Sequence, residues 1–462
     1  MNRLFTLCMT MTIVFCVIIQ SVNAGGLDVQ RSADDDTTNR IIVSLYDYQG
    51  SEQEDGISKE QISRMEKEAG ISLRRFRKMS GGARVLFLPS EMPFLKVKLI
   101  TNRLKSLSII KYAEPDRRMQ PLGITPNDPM YPQQWNYYEP VGGINVPEAW
   151  ALTTGNPNVV VAVIDTGILG DHEDIKGRWE GGYDFIDMRF NARDQDKRDP
   201  DPSDEGDWTM TYNSSWHGTH VAGTIGAATN NGIGGAGIDW QCRILPVRVL
   251  GRLGGFTSDI VDAMRWSVGM SIPGIPDNPT PAHVINMSLG GGGACDSLWQ
   301  DAVNDVLGAG TVLVVAAGNE SQNASNTCPA SCDGVITVAA TNRSGDLAWY
   351  SNYGPKVEIS APGGENSFSI EDAILSTLNT GLKRSENDSY RYYQGTSMAT
   401  PHVAGVIALM YSINPNLTPA EVLTAIQNSA REFPSGTECA NNPYRCGSGI
   451  LDAAAAIESV KP

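Results

Sequence analysis

Three short segments of this 462-residue chain carry residue types that together perform acyl transfer. Val161-Ala162-Val163-Ile164-Asp165-Thr166-Gly167 ends an apolar, β-branched run on a carboxylate. Trp216-His217-Gly218-Thr219-His220-Val221-Ala222-Gly223 sets an imidazole at the head of a helical stretch. Gly395-Thr396-Ser397-Met398-Ala399-Thr400-Pro401-His402 does the same for a hydroxyl. A serine hydroxyl is a poor nucleophile at neutral pH, so a neutral imidazole must take its proton as it attacks. A buried carboxylate then holds the imidazole in the right tautomer and stabilises its cation. Taken singly, each residue has a plainer reading: Asp165 or Ser397 as a helix cap, His220 and His402 as packed histidines. The three segments with their flanks, in this order, favour the chemistry, with His217 rather than His220 as the base.

The elements that must position these residues read as an α/β pattern. Apolar runs at 159–164, 243–249, 283–287, 311–316 and 334–339 suit strands buried on both faces. Helical stretches lie at 218–228, 258–268, 297–307, 400–412 and 419–429. Their alternation predicts a three-layer α/β domain, a mostly parallel sheet with helices on both faces. In such sheets, chemistry gathers at the carboxyl ends of the strands. Upstream, 40–46, 84–88 and 109–113 read as strands and 58–69 and 93–105 as helices, predicting a small α+β sandwich. A stretch at 119–129 rich in Pro, Gly and Asn marks the boundary, and the polar stretch 25–39 reads as flexible.

The first 24 residues read as a secretory signal peptide: Arg3, an apolar run over 4–19, then Ser21-Val22-Asn23-Ala24. That run falls short of the ~20 residues a membrane-spanning helix needs, so no membrane attachment is expected after cleavage. Beyond Cys8 and Cys16, six cysteines remain, and an even number in an exported chain suggests disulfides. Six cysteines allow ~15 pairings. Local spacing favours Cys328–Cys332 and Cys439–Cys446, leaving Cys242–Cys295. Charge is uneven: residues 25–121 carry a net charge of +3, and 122–462 carry −20. So acidic a body argues against nucleic-acid binding and would attract a basic partner, for which residues 25–121 are one candidate.

At the three segments the chain resembles the subtilisin family of serine peptidases, whose Asp…His…Ser order it shares. The resemblance runs from residue 122 to the end. It implies a subtilisin-like fold and a secreted serine endopeptidase of broad specificity, monomeric, acting on polypeptides with Asp165, His217 and Ser397 as triad. Val315-Ala316-Ala317-Gly318-Asn319 resembles the family segment that supplies an oxyanion-binding amide, here Asn319. Met287-Ser288-Leu289-Gly290-Gly291 resembles the edge that pairs with an extended peptide, which implicates Ser288, Leu289 and Gly290 in substrate binding and explains tolerance of many sequences. Gly318 would line the pocket for the residue before the cut. Calcium is implied twice. Asp174, nine residues after Asp165, and the segment 227–235 resemble the family's tight site, with Asn231 and the carbonyls of Ala228, Ile233 and Gly235 as ligands. Asp128 resembles the N-terminal ligand of kexin-like members. The acidic loop 194–202 resembles a kexin-type calcium loop at Asp194, Asp199 and Asp201, with Asp204 and Asp207 close by.

By size, position and pattern, residues 25–121 resemble the family's inhibitory propeptide, cut away between 121 and 126, and 122–462 the catalytic domain. Two other classes weigh less. A scaffold on a dead peptidase fold would have lost Ser397, His217 or Asn319. An acidic calcium-binding surface protein leaves the triad unexplained. There is no H-E-x-x-H for a zinc peptidase, and no G-x-S-x-G elbow followed by the Ser…Asp…His order of an α/β-hydrolase.

Overall fold

The computed structural model describes residues 37–46, 57–117 and 123–462. The expected signal segment, the stretch 25–36 and the first two residues of the expected cleavage region lie outside them. The chain divides into two compact units, Met1–Gln120 and Pro121–Pro462.

In the first unit an antiparallel sheet has the order Arg74–Lys78, Arg84–Pro93, Thr37–Leu45, Ile110–Pro115. Helix Lys59–Ala69 starts where Ser58 accepts from the Gln61 N–H, and the Gln61 side chain accepts from the Ser58 N–H in return. It ends at Gly70 in the left-handed conformation. Met65 and Ala69 of this helix, with Val97, Ile100 and Leu104 of helix Phe94–Leu104, close over Ile41, Val43 and Leu86 in one core. The strand Arg74–Lys78 is absent from the sequence expectations because Arg-Arg-Phe-Arg-Lys shows no apolar alternation.

The second unit is built on seven parallel strands in the order Ile359–Pro362, Ile336–Thr341, Val312–Ala316, Val284–Met287, Val160–Asp165, Arg243–Arg248, Tyr183–Asp184. Alternate side chains of the interior strand Val160–Asp165 enter different cores, as the period of two requires. Val161 and Val163 pack with helices His217–Gly226 and Thr396–Ile413. Val160, Ala162 and Ile164 pack with helices Thr257–Ser267 and Ser297–Gly308. The expected three layers follow directly. Outside the expectations stands an antiparallel hairpin, Ile374–Asn379 with Asp388–Tyr393, braced against the His217 helix. Among the described residues no helix is long and apolar enough to cross a membrane.

Two of the three expected disulfides are corrected. The bonds are Cys295–Cys332 and Cys439–Cys446, while Cys242 and Cys328 are buried thiols. Cys242 cannot reach Cys295 because the two pack in different layers, on opposite faces of the sheet. Cys295 is brought instead to the 327–332 turn, where its N–H donates to the Ser331 hydroxyl at 2.8 Å. Cys328 remains beside that bond, with all three sulfurs within 4.8 Å of one another.

Candidate active site

The sheet delivers the site by ending its strands along one edge. Asp165 is the last residue of strand Val160–Asp165. Ser288 and Leu289 follow the neighbouring strand, and Asn319 follows the next one out. His217 and Ser397 sit in the first turns of the two helices of one layer. Trp216, just before His217, holds a left-handed conformation with φ 51°. A tryptophan adopts this only when its surroundings enforce it. Here the ring is buried, and its Nε1–H donates to the Gly381 carbonyl at 2.7 Å. Gly218 lets the helix approach the carboxylate: a Cβ there would lie 2.2 Å from the Gly167 carbonyl oxygen.

His217 Nδ1–H donates to the fully buried Asp165 carboxylate at 2.8 Å and 2.9 Å. This fixes the tautomer that leaves Nε2 free to act as a base. Burial by itself lowers the His217 pKa, but the charge and hydrogen bond of Asp165, with Asp207 and Asp204 behind it, raise it above its ordinary 6.5. The Thr166 N–H donates to Asp165 at 2.7 Å, and its hydroxyl donates to buried Asp204 at 2.6 Å while accepting from the Gly218 N–H at 3.0 Å. The Thr166 hydroxyl thus ties the carboxylate strand to the imidazole helix and is itself held by Asp204, whose pKa burial pushes to about 7. Ser397 and Ser288 are bonded reciprocally: the Ser397 hydroxyl donates to the Ser288 carbonyl at 3.1 Å, and the Ser288 hydroxyl to the Ser397 carbonyl at 2.8 Å. Ser397 and His217 line the same cleft, and the bond between a nucleophile and its base commonly tightens only with substrate bound.

Asn319 is oriented by a residue that the sequence reading left without a role. Its Oδ1 accepts from both the N–H and the hydroxyl of buried Thr396, at 2.8 Å and 3.0 Å. The amide nitrogen therefore points away from Thr396, free to donate. A Cβ built on Gly395 would lie 3.6 Å from the Ser397 nitrogen and 3.7 Å from Asn319 Nδ2, so both donors border the space beside Gly395. Gly318 has φ +105°, and a Cβ there would lie 2.2 Å from Asn352 Nδ2. His220 and His402 are packing residues, as the sequence suggests. His220 meets the Ile374 and Arg391 carbonyls and stacks on Tyr393, and His402 bridges the Met398 carbonyl and Asn136. Burial lowers their pKa values to about 3 and about 4, which keeps both neutral.

His217, Asn319, Ser397, Ser288, Leu289 and Gly290 all line one cleft of about 730 Å³. A smaller cavity of about 180 Å³ opens beside Ser397, between residues 289–292 and 316–327, with Gly318 and Glu320 in its wall. Gly291–Gly292 pairs with Thr327–Cys328, but Leu289 and Gly290 make no backbone hydrogen bond among the described residues. Their amides and carbonyls are open to an incoming strand.

Two oxygen clusters bear on metal binding. In the first, Asp174 accepts from Asn231 Nδ2 at 2.9 Å, the Gly235 N–H at 3.1 Å and the Tyr390 hydroxyl at 2.8 Å. Asp128 accepts from the N–H groups of Asn230 and Asn231. The carbonyls of Ala228, Ile233 and Gly235 accept no hydrogen bond among the described residues. Two buried carboxylates beside three free carbonyls fit a hard cation, although the Asn231 oxygen here faces the Ile233 N–H. In the second cluster, Asp184, Asp194 and Asp199 converge within 4.8 Å. Arg248 binds Asp184 and reaches Asp194 at 2.9 Å, leaving a net negative charge. Asp199 Oδ2 is buried without a partner, an orphan acceptor that a cation would satisfy. Burial raises the pKa of Asp184 to about 8 and that of Asp199 above its usual range. Asp201 lies outside this group, exposed and accepting from the Ser203 N–H at 3.0 Å. Asp184 takes its place, and no spacing within the loop 194–202 could have pointed to it.

A parallel α/β sheet whose strand ends gather an aspartate–histidine pair, a serine and an oriented amide defines a serine-hydrolase class of site. Residues 156–449 match the subtilase family, and the chain belongs to it. It is 47% identical over 344 residues to an extracellular protease of Xanthomonas campestris, an alignment covering 72% of this chain and 57% of that protein. It is 41% identical over 409 residues to an extracellular basic protease of Dichelobacter nodosus, covering 85% and 65%. The chain thus spans less than two thirds of the length of either relative. A solved protease structure from Pseudoalteromonas arctica matches with a TM-score of 0.70 and 48% identity, covering 73% of this chain and all of that one.

Proposed function

We propose that this chain is the precursor of a secreted serine endopeptidase that cleaves polypeptides through an acyl-enzyme. The observation that carries the reading is the His217–Asp165 pair sharing a cleft with Ser397 and an amide of Asn319 that only an incoming ligand can use. His217 Nε2 takes the Ser397 proton as Oγ attacks the scissile carbonyl, and Asp165 stabilises the imidazolium. The Asn319 amide and the Ser397 N–H receive the oxyanion. His217 then protonates the leaving amine, and water resolves the ester by the same steps in reverse. Leu289 and Gly290 pair with the substrate backbone, and the cavity beside Gly318 takes the side chain before the cut. Pairing through backbone groups supports broad specificity.

Residues 25–121 are read as the inhibitory propeptide and 1–24 as the signal for export. A compact, mildly basic α+β unit ahead of a strongly acidic one supports the former. The test is intact mass and peptide mapping after treatment with a phosphonyl fluoride. A chain starting near residues 121–126 with one adduct, on Ser397, is expected. A folded, processed chain without an adduct would leave a non-catalytic scaffold as the reading.

Calcium is assigned to both clusters: Asp128, Asp174, Asn231 and the carbonyls of Ala228, Ile233 and Gly235 hold one ion, and Asp184, Asp194 and Asp199 a second. Its chemistry is to cross-link loops and neutralise buried carboxylates, apart from any step of the reaction. Saturating calcium at about 100 Kd stabilises by about 2.7 kcal/mol, which predicts a chelator-induced fall in Tm of about 5 °C. The measurement is thermal unfolding of the Ser397→Ala protein, which cannot digest itself. Asp199→Asn should remove part of the calcium-dependent gain; an identical chelator response in both proteins would count against the second site.

A further inference from the structure

Arg252 contributes to the wall of the cleft that holds His217 and Ser397. Its guanidinium lies 4.2 Å over the ring of Phe190, and its backbone N–H donates to the Asn191 carbonyl at 3.1 Å. The Arg252 side chain is therefore braced. It is half-buried, its Nε is shielded from solvent without a hydrogen-bond partner, and among the described residues it has no carboxylate partner. Arg193 stands close by, 3.3 Å over the Trp208 ring and donating to the Trp208 carbonyl, also without a carboxylate partner among the described residues. Burial first, and then the charge of Arg252, lower the Arg193 pKa, as two neighbouring cations do. Asp207, the carboxylate closest in influence, is engaged by the Ser215 N–H at 2.6 Å and hydroxyl at 2.9 Å. Arg252 is the one Arg or Lys among the described residues lining the cleft, in a region of net charge −20 where Arg198, Arg248, Arg265 and Arg343 are matched to carboxylates.

We propose that Arg252, backed by Arg193, binds an acidic side chain of the substrate upstream of the residue held in the pocket beside Ser397. This deepens the peptidase reading and rests on it. The direction follows from the layout of the cleft. The primary cavity lies on the 316–327 side of the 288–292 edge, whereas residues 250–255 line the larger cleft together with that edge. A strand paired with Leu289 and Gly290 leaves the primary cavity and passes the 250–255 segment with alternate side chains turned outward. A carboxylate there gains the guanidinium that nothing else uses. The salt bridge is partly solvated, so its worth is modest and falls with salt.

The experiment compares kcat/KM of the processed protein on peptides carrying Glu, Gln or Lys at the second, third or fourth position before the cut. At one of these positions Glu should exceed Gln by about 3–5-fold, chiefly through KM, with the ratio shrinking at high salt. In Arg252→Gln the ratio should fall to about 1, and in Arg252→Glu the preference should turn to Lys. The proposal is overturned if no position favours Glu in the wild type, or if the preference survives Arg252→Gln. Cleavage of the Gln peptides separates the two readings: without it the peptidase assignment falls as well.

Discussion

Ser397→Ala leaves a folded protein whose peptide hydrolysis is about 10⁶-fold slower in kcat, the size of loss that removing the nucleophile causes in subtilisin itself. The hydroxyl is the only atom that can form the acyl bond, so no neighbour compensates. The structural cost is small. The hydroxyl gives one hydrogen bond, to the Ser288 carbonyl at 3.1 Å. Ser288 lines the cleft although it is largely buried, so losing this one bond costs about 1 kcal/mol of stability. The variant should also keep its N-terminal unit, because self-processing needs the same nucleophile. Both effects are read together, by turnover of a peptide and by intact mass. A variant that retains activity would mean that another residue performs the chemistry and would sink the triad assignment.

Asn319→Ala should lower kcat by about 10²–10³-fold while KM stays within about threefold, because the oxyanion exists only beyond the ground state. That magnitude is the one known for the oxyanion-binding asparagine of subtilisin. Alanine also takes away the acceptor that Thr396 uses twice. Leaving those buried donors unmatched costs about 1–3 kcal/mol of stability, so a disturbed serine helix adds to the loss. Asn319→Asp separates the contributions. It keeps the acceptor for Thr396 but replaces the free donor with an oxygen, and it should be at least as inactive while unfolding at a temperature closer to the wild type. An Asp variant with wild-type turnover would show that the side chain positions Thr396 and does not bind the oxyanion.

Arg252 and Asn319 illustrate how differently the chain advertises its functional residues. Asn319 stands in a segment, Val315 to Asn319, that resembles a known one, and its role could be proposed from the sequence. The side chain's orientation could not, since it depends on Thr396, 77 residues further along. Arg252 lies in a glycine-rich stretch with no signature, and only its place in the cleft wall without a carboxylate partner brings it to notice.

What the sequence determined by itself was whatever depends on local order. Buried strands in a parallel sheet are continuous apolar runs, so Val160–Asp165 and Val312–Ala316 were legible, as were the helices between them. The proposed triad could be picked out because each member sits at a strand end or a helix start whose flanking residues are constrained by their own local geometry. What only the tertiary structure decided was which distant groups meet. The hairpin Ile374–Asn379 and Asp388–Tyr393 and the strand Arg74–Lys78 take their pairing from partners elsewhere in the chain. Cysteine pairing followed the layers of the fold, which put Cys242 and Cys295 on opposite faces of one sheet, whatever their spacing. Asp184 joined Asp194 and Asp199 because an edge strand and a loop converge on buried Arg248. Side-chain period and turn chemistry act over a few residues and can be read along the chain, whereas charge pairing and cross-linking act across space, and a one-dimensional spacing does not contain the distance they depend on.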